Sequence, residues 1–168
     1  DRTLVPELAR HLNLAGQPRE AARQLLGAAQ ESFELHRCKH ALSLLSENME
    51  QINAHSPLIS LQMFYLSAQA YERMGDLGVA LQLYESALRR SWQLTDPHWG
   101  AELFLKVSQC KAWRGELTTA SSAALNAETL AKQADDNKLL FDSRLQQARI
   151  SLMQGNVAEA FSHIKTAQ

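Results

Sequence analysis

The densest group of chemistry-bearing side chains is His36, Cys38 and His40. On a helix that began early enough, His36 and His40 would sit four apart on one face and could share a metal ion. Zinc takes three or four protein ligands, however, and no other Cys or His lies within reach in sequence. The expected arrangement is a hairpin turn made of polar and small residues, with no metal site. His11, His55, His98 and His163 are scattered and read as surface or helix-end residues.

Nucleophiles and acids offer no catalytic constellation either. Ser43, Ser46, Ser67 and Ser108 lie in helical patterns where a small residue packs, without the strained strand-to-helix elbow that activates a serine. Asp135 and Asp136 stand at a helix junction, where capping explains them. The phosphate-cradling pattern G-x-x-x-x-G-K is missing. The segment is expected to be no enzyme and to need no cofactor.

Arg89 and Arg90, with Lys106, Lys111 and Arg114, could form a basic patch interleaved with Trp92, Trp99 and Trp113. Glu85, Glu102 and Glu116 dilute it, and nucleic-acid binders carry a larger basic excess. Across the chain 17 basic side chains face 18 acidic ones, and neither half is strongly basic. No nucleic-acid partner is expected, and the tryptophans read as core and hairpin-packing residues. The longest apolar runs are a few residues, far short of the ~20 a spanning helix needs, so no membrane partner is expected. Two cysteines, Cys38 and Cys110, make no disulfide framework; reduced thiols in a cytoplasmic protein are the simpler reading. The chain opens at Asp1 without Met and stops at Gln168 within an amphipathic pattern, as a segment excised from a longer chain would.

The elements that would position these residues can be read from a long-range repeat. Gly75, Gly115 and Gly155 are 40 apart, and each is followed five residues later by Ala80, Ala120 and Ala160. Gly16 with Ala21 makes another copy, and His36 with Ala41 makes one in which the glycine is missing. Around each pivot apolar residues recur three and four apart, as in Phe64, Ala68, Tyr71 and Met74 before Gly75, then Val79, Leu83, Ala87 and Trp92 after it. No stretch alternates with the period of a strand. Each glycine would end a helix and reverse the chain with positive φ, and each alanine would lie where two antiparallel helices approach closely. Ser56-Pro57, Asp96-Pro97 and Asp135-Asp136-Asn137 supply caps between repeats. Helices are predicted at about 3–15, 18–35, 38–53, 57–74, 77–94, 97–114, 117–134, 137–154 and 157–168.

These residues resemble the tetratricopeptide (TPR) family. The third hairpin matches best, with Phe64, Ala68, Tyr71, Gly75, Ala80, Tyr84 and Ala87 at the family's offsets. The next copy keeps Phe104, Ser108, Gly115, Ala120 and Ala127 but carries Lys111 and Ala124 where aromatics are usual; the last keeps Ala148, Gly155, Ala160 and Ala167. The unit is 40 residues against the common 34. Long units opened by LARHLNLAGQPREAARQLLGAAQESFELHRCKHALSLL also look like the helical region of bacterial signal-transduction ATPases. The resemblance implies an all-α fold of antiparallel helical hairpins stacked in a right-handed TPR-like superhelix. It would form one domain over 1–168, with hairpins about 3–35, 18–53, 57–94, 97–134 and 137–168, neighbouring hairpins sharing a helix at the N-terminal end.

In such a stack the first helix of each hairpin lines the concave wall. Its fifth position reads Leu26, Tyr65, Leu105 and Leu145, its ninth Gln30, Gln69, Gln109 and Arg149, and near the helix ends come Phe33, Arg73, Trp113 and Met153. An apolar row beside an amide row suits a peptide or helix. Tyr65, Gln69, Arg73, Leu105, Gln109, Trp113, Leu145 and Arg149 are the candidate partner-binding residues. TPR co-chaperones clamp a C-terminal carboxylate with Lys and Asn at these fifth and ninth positions, so capture of chaperone tails is not expected. The expected function is a non-catalytic protein–protein interaction and sensor-coupling module of a larger cytosolic signalling or regulatory protein, its partner a protein, a peptide or other domains of the same chain. A free-standing adaptor that binds a peptide and a small-molecule-sensing domain of a transcription regulator are the alternatives.

Overall fold

A chain rich in Ala, Leu, Gln, Glu and Arg favours helix, and loops that are mostly three residues long leave neighbouring helices no choice but to reverse. A computed structural model describes residues 4–46 and 56–167. Among the described residues the elements are all helices: α1 (Leu4–Leu14), α2 (Pro18–Glu34), α3 (Cys38–Ser46), α4 (Pro57–Arg73), α5 (Leu77–Ser91), α6 (Pro97–Trp113), α7 (Leu117–Gln133), α8 (Asn137–Met153) and α9 (Val157–Ala167). The predicted positions hold to within a residue or so, except that α5 stops at Ser91 rather than 94. The part of the third predicted helix beyond Ser46 lies outside the described residues.

The pivots behave as their spacing requires. Gly16, Gly75, Gly115 and Gly155 have φ of 74°, 85°, 82° and 83°. His36 takes the same left-handed conformation at φ 58°, so the side chain standing where the glycine is missing does the glycine's work. Asp135 does likewise at φ 52°, and only its neighbour Asp136 is a cap, accepting from the Leu139 N–H at 2.9 Å. Each pivot closes its helix with a paired bond: Asp76 N–H reaches back to the Tyr71 carbonyl and Gly75 N–H to that of Glu72, both at 3.0 Å. Ser56 and Asp96 cap α4 and α6 and precede proline at the first helical position. Asp76 caps α5, accepting from Val79 N–H at 3.1 Å.

The chain divides into two compact units, Asp1–Gln93 and Leu94–Gln168. In the first, α1 packs on α2, α2 on α3, α3 on α4 and α4 on α5, while α2 also touches α4. Its core joins Leu25, Phe33, Leu45, Met63 and Leu66 to Ala21, Ala29, Ala41 and Ala70. In the second, α6, α7, α8 and α9 pack in sequence and α6 touches α8. Ala101, Leu105, Ala127, Ala131 and Leu139 form one cluster there, and Ala112, Ala120, Ala124 and Ile150 another. The post-pivot alanines Ala21, Ala41, Ala80, Ala120 and Ala160 are all buried, as expected of helix crossings. Trp92, read as a packing residue, is instead 62% exposed, and Trp113, read both as a packing residue and as a wall residue, is 59% exposed, which removes the packing reading. Trp92 is the C-cap of α5 and Trp113 the last residue of α6, so both stand at helix ends.

Candidate functional site

In the first unit, Tyr65, Gln69 and Arg73 are spaced four apart on α4 and therefore share a face. Tyr65 and Gln69 are half-buried and Arg73 is exposed. The Tyr65 ring meets that of Tyr84 edge-on, with centroids 5.8 Å apart, and the Tyr84 hydroxyl donates to the Glu72 carboxylate. Arg73 is not idle: its guanidinium lies 3.7 Å over the Phe33 ring and donates to the Phe33 carbonyl at 2.9 Å. Of the earlier helix, Leu26 is half-buried and Gln30 is exposed, donating to Glu34 at 3.1 Å.

In the second unit the row splits. Leu105 is 4% exposed within the core of α6, α7 and α8, which leaves it little surface to offer a partner. Gln109 is half-buried and Trp113, at the end of α6, projects into solvent. On α8, Leu145 is half-buried, Arg149 is exposed and Met153 is 52% exposed. Because α6 and α8 are separated by two chain reversals they run parallel, and they touch; Trp113 and Met153 therefore end two adjacent helices on the same side.

The basic residues are largely committed to their own unit. Arg90 stacks 3.9 Å over Phe64 and donates to Ser60 Oγ and the Ser86 carbonyl, each at 2.8 Å. Burial there, and then the like charge of Arg89, hold its guanidinium below the ordinary arginine range. Arg89 donates to Ser86 Oγ, and Arg114 pairs with Glu116 at 3.0 Å. His36, Cys38 and His40 do not converge on one point; among the described residues no three His, Cys, Asp or Glu side chains could hold a metal. His40 Nδ1 instead meets Ser32 Oγ at 2.9 Å, joining α2 to α3. No helix of the described residues is long and apolar enough to cross a membrane.

One polar centre was not anticipated from sequence. Glu128 on α7 accepts from Lys132 at 2.8 Å, Arg144 at 3.2 Å and Gln147 at 2.9 Å, the last two on α8. Partial burial pushes its carboxyl upward, but these hydrogen bonds and the charge of Lys132 outweigh it and bring the pKa down to about 2. Arg144 also donates to the Thr166 carbonyl on α9, so one guanidinium ties three helices. The Glu128 and Lys132 spacing of four was the visible signal; the partners from α8 were not. His98 Nδ1 and Asp136 Oδ2 are 2.9 Å apart, linking the starts of α6 and α8.

No family model matches the chain, and no curated protein matches it significantly in sequence. Solved structures do share the fold. TPR-like repeats of a protein from Podosopora anserina described as a kinesin light chain superpose with a TM-score of 0.71 at 15% identity, over 86% of this chain and 72% of that one. BtubC (BKLC) from P. vanneervenii gives 0.65 at 15% identity, covering 99% and 86%. MamA gives 0.65 at 15% identity, covering 95% and 91%. The fold is therefore that of TPR-like helical repeats.

Proposed function

We propose that this chain is a non-catalytic protein–protein interaction module, coupling partner binding to other domains of a larger cytosolic signalling or regulatory protein. The observation that carries the reading is Trp113, a large indole 59% exposed at the end of a helix whose inward residues already fill the core. An exposed tryptophan with an exposed arginine and methionine, Arg149 and Met153, on the adjacent α8 is the composition of an interface anchor. In the first unit Tyr65 and Gln69 offer an aromatic edge and an amide suited to a peptide backbone.

The test is affinity capture with this segment, followed by binding of any recovered partner to Trp113→Ala and Tyr65→Ala. Loss of a buried aromatic anchor weakens binding by about 2 kcal/mol, some thirtyfold. A partner that binds both variants as tightly as the parent rejects these residues as the site.

A further inference from the structure

Ser67 on α4 is 2% exposed, and its Oγ is the one buried side-chain nitrogen or oxygen among the described residues with no hydrogen-bond partner. Other buried serines resolve the same problem locally. Ser32, Ser91 and Ser143 donate to carbonyls of their own helices, and Ser108 to the Ala120 carbonyl at 2.8 Å. A buried hydroxyl left unmatched costs about 1–3 kcal/mol, which makes it a pointer to a missing partner.

It borders a cleft of about 260 Å³, half open to solvent beside the exposed Ser43 and Ser46, lined by Leu42, Ser43, Ser46, Ser67, Tyr71, Val79 and Leu83. It lies within the first unit, between α3 and the α4–α5 hairpin. One repeat later the position of Ser67 is held by Val107, a larger side chain that is buried, so the serine both opens the space and supplies its polar floor. Two residues from Tyr65 and from Gln69, Ser67 sits on the opposite side of α4 from the face proposed above to meet protein.

We propose that this cleft binds a small, neutral, largely apolar molecule that carries one hydrogen-bonding group, held by Ser67 Oγ. Size and lining argue for it together. An apolar cavity of about 150 Å³ holds a benzene ring, so this cleft has room for a ring with a short polar arm. None of the seven lining residues is charged, which leaves an ionic ligand nothing to repay its lost hydration. Ser43 and Ser46 donate to the carbonyls of His40 and Ser43, so their hydroxyl protons are already used.

The probes are 2-phenylethanol, propylbenzene (the same shape with a methyl for the hydroxyl) and phenylacetate, titrated while amide resonances of α3, α4 and α5 are followed by NMR. The alcohol and the hydrocarbon should both shift residues around the cleft, and phenylacetate should bind at least tenfold more weakly. Ser67→Ala should weaken 2-phenylethanol about fivefold and leave propylbenzene within twofold. Ser67→Leu should exclude both by filling the space. Shifts located elsewhere, phenylacetate binding as well as the alcohol, an equal effect of Ser67→Ala on both neutral probes, or no binding by either of them overturns the proposal.

Discussion

The Arg73 guanidinium covers the Phe33 ring at 3.7 Å and donates to the same residue's carbonyl at 2.9 Å, across a separation of 40 residues. One repeat length thus separates two residues that touch. They hold equivalent places near the ends of α2 and α4, so the register read from glycines is met by a physical contact between its own successive members. The contact also engages one member of the candidate face: Arg73 braces one first helix against the next, while Tyr65 and Gln69, half-buried on the same face, take no part in that contact.

Arg73→Ala is expected to destabilise the first unit by about 1–2 kcal/mol, the sum of a partly exposed cation–π contact and a charge-assisted hydrogen bond. Arg73→Lys keeps the charge but loses the planar fork, so it should recover less than half of the loss. Urea unfolding followed by circular dichroism measures both, and equal stability of Arg73→Ala and the parent would refute the brace.

Glu128 makes stability depend on acid. Its folded pKa of about 2 lies below the ordinary glutamate range, so its contribution is fully present above pH ~5 and is lost as pH falls toward 2. After allowance for solvent screening the contribution is about 2 kcal/mol. Glu128→Gln should lower stability at pH 7 by that order and flatten the decline between pH 5 and 2. A mutant whose acid profile runs parallel to the parent's contradicts the assignment.

The two left-handed pivots that lack glycine are sites of gain. His36→Gly should raise stability by about 1 kcal/mol, because an ordinary side chain in that conformation crowds its own carbonyl. Gly115→Val should lose about 2 kcal/mol or more, and the cause is isolated: nothing lies within 4 Å of a side-chain carbon placed there, so only the backbone conformation is penalised. Gly115→Asn, which tolerates positive φ, should lose less than the valine variant. Thermal melts rank the three.

A chelator should leave the melting temperature unchanged, since His40 is engaged by Ser32 and does not converge with His36 and Cys38. A melting point that drops in EDTA and returns with zinc would show a metal site at His36, Cys38 and His40.

Glycine spacing and apolar period made the helices legible, because both express local rules that any context obeys. His36 could be placed as a pivot by counting alone. Asp135 could not, since an aspartate before Asp136 reads as a cap and only the backbone reveals the left-handed turn. The exposure of Trp92 and Trp113 was hidden for a related reason: both keep the helical period, and a period says which face a residue shares without saying whether another helix reaches that far. Leu105 shows the converse, a wall position by register that the core of its unit absorbs. Ser67 looked like one more small packing residue, and its unmatched hydroxyl depends on what α3 and α5 fail to supply.

The paired closing bonds at Gly75, Gly115 and Gly155 also bear on inheritance. Each joint presents the same backbone geometry to the next helix, from Asp76 N–H on Tyr71 to Asn156 N–H on Ser151. An unequal crossover that adds or removes forty codons between two such joints restores a native junction on both flanks. Because His36 and Asp135 carry the same closing bonds, a change of twenty codons also joins one reversal to another, but only a change of forty keeps the direction of every helix that follows.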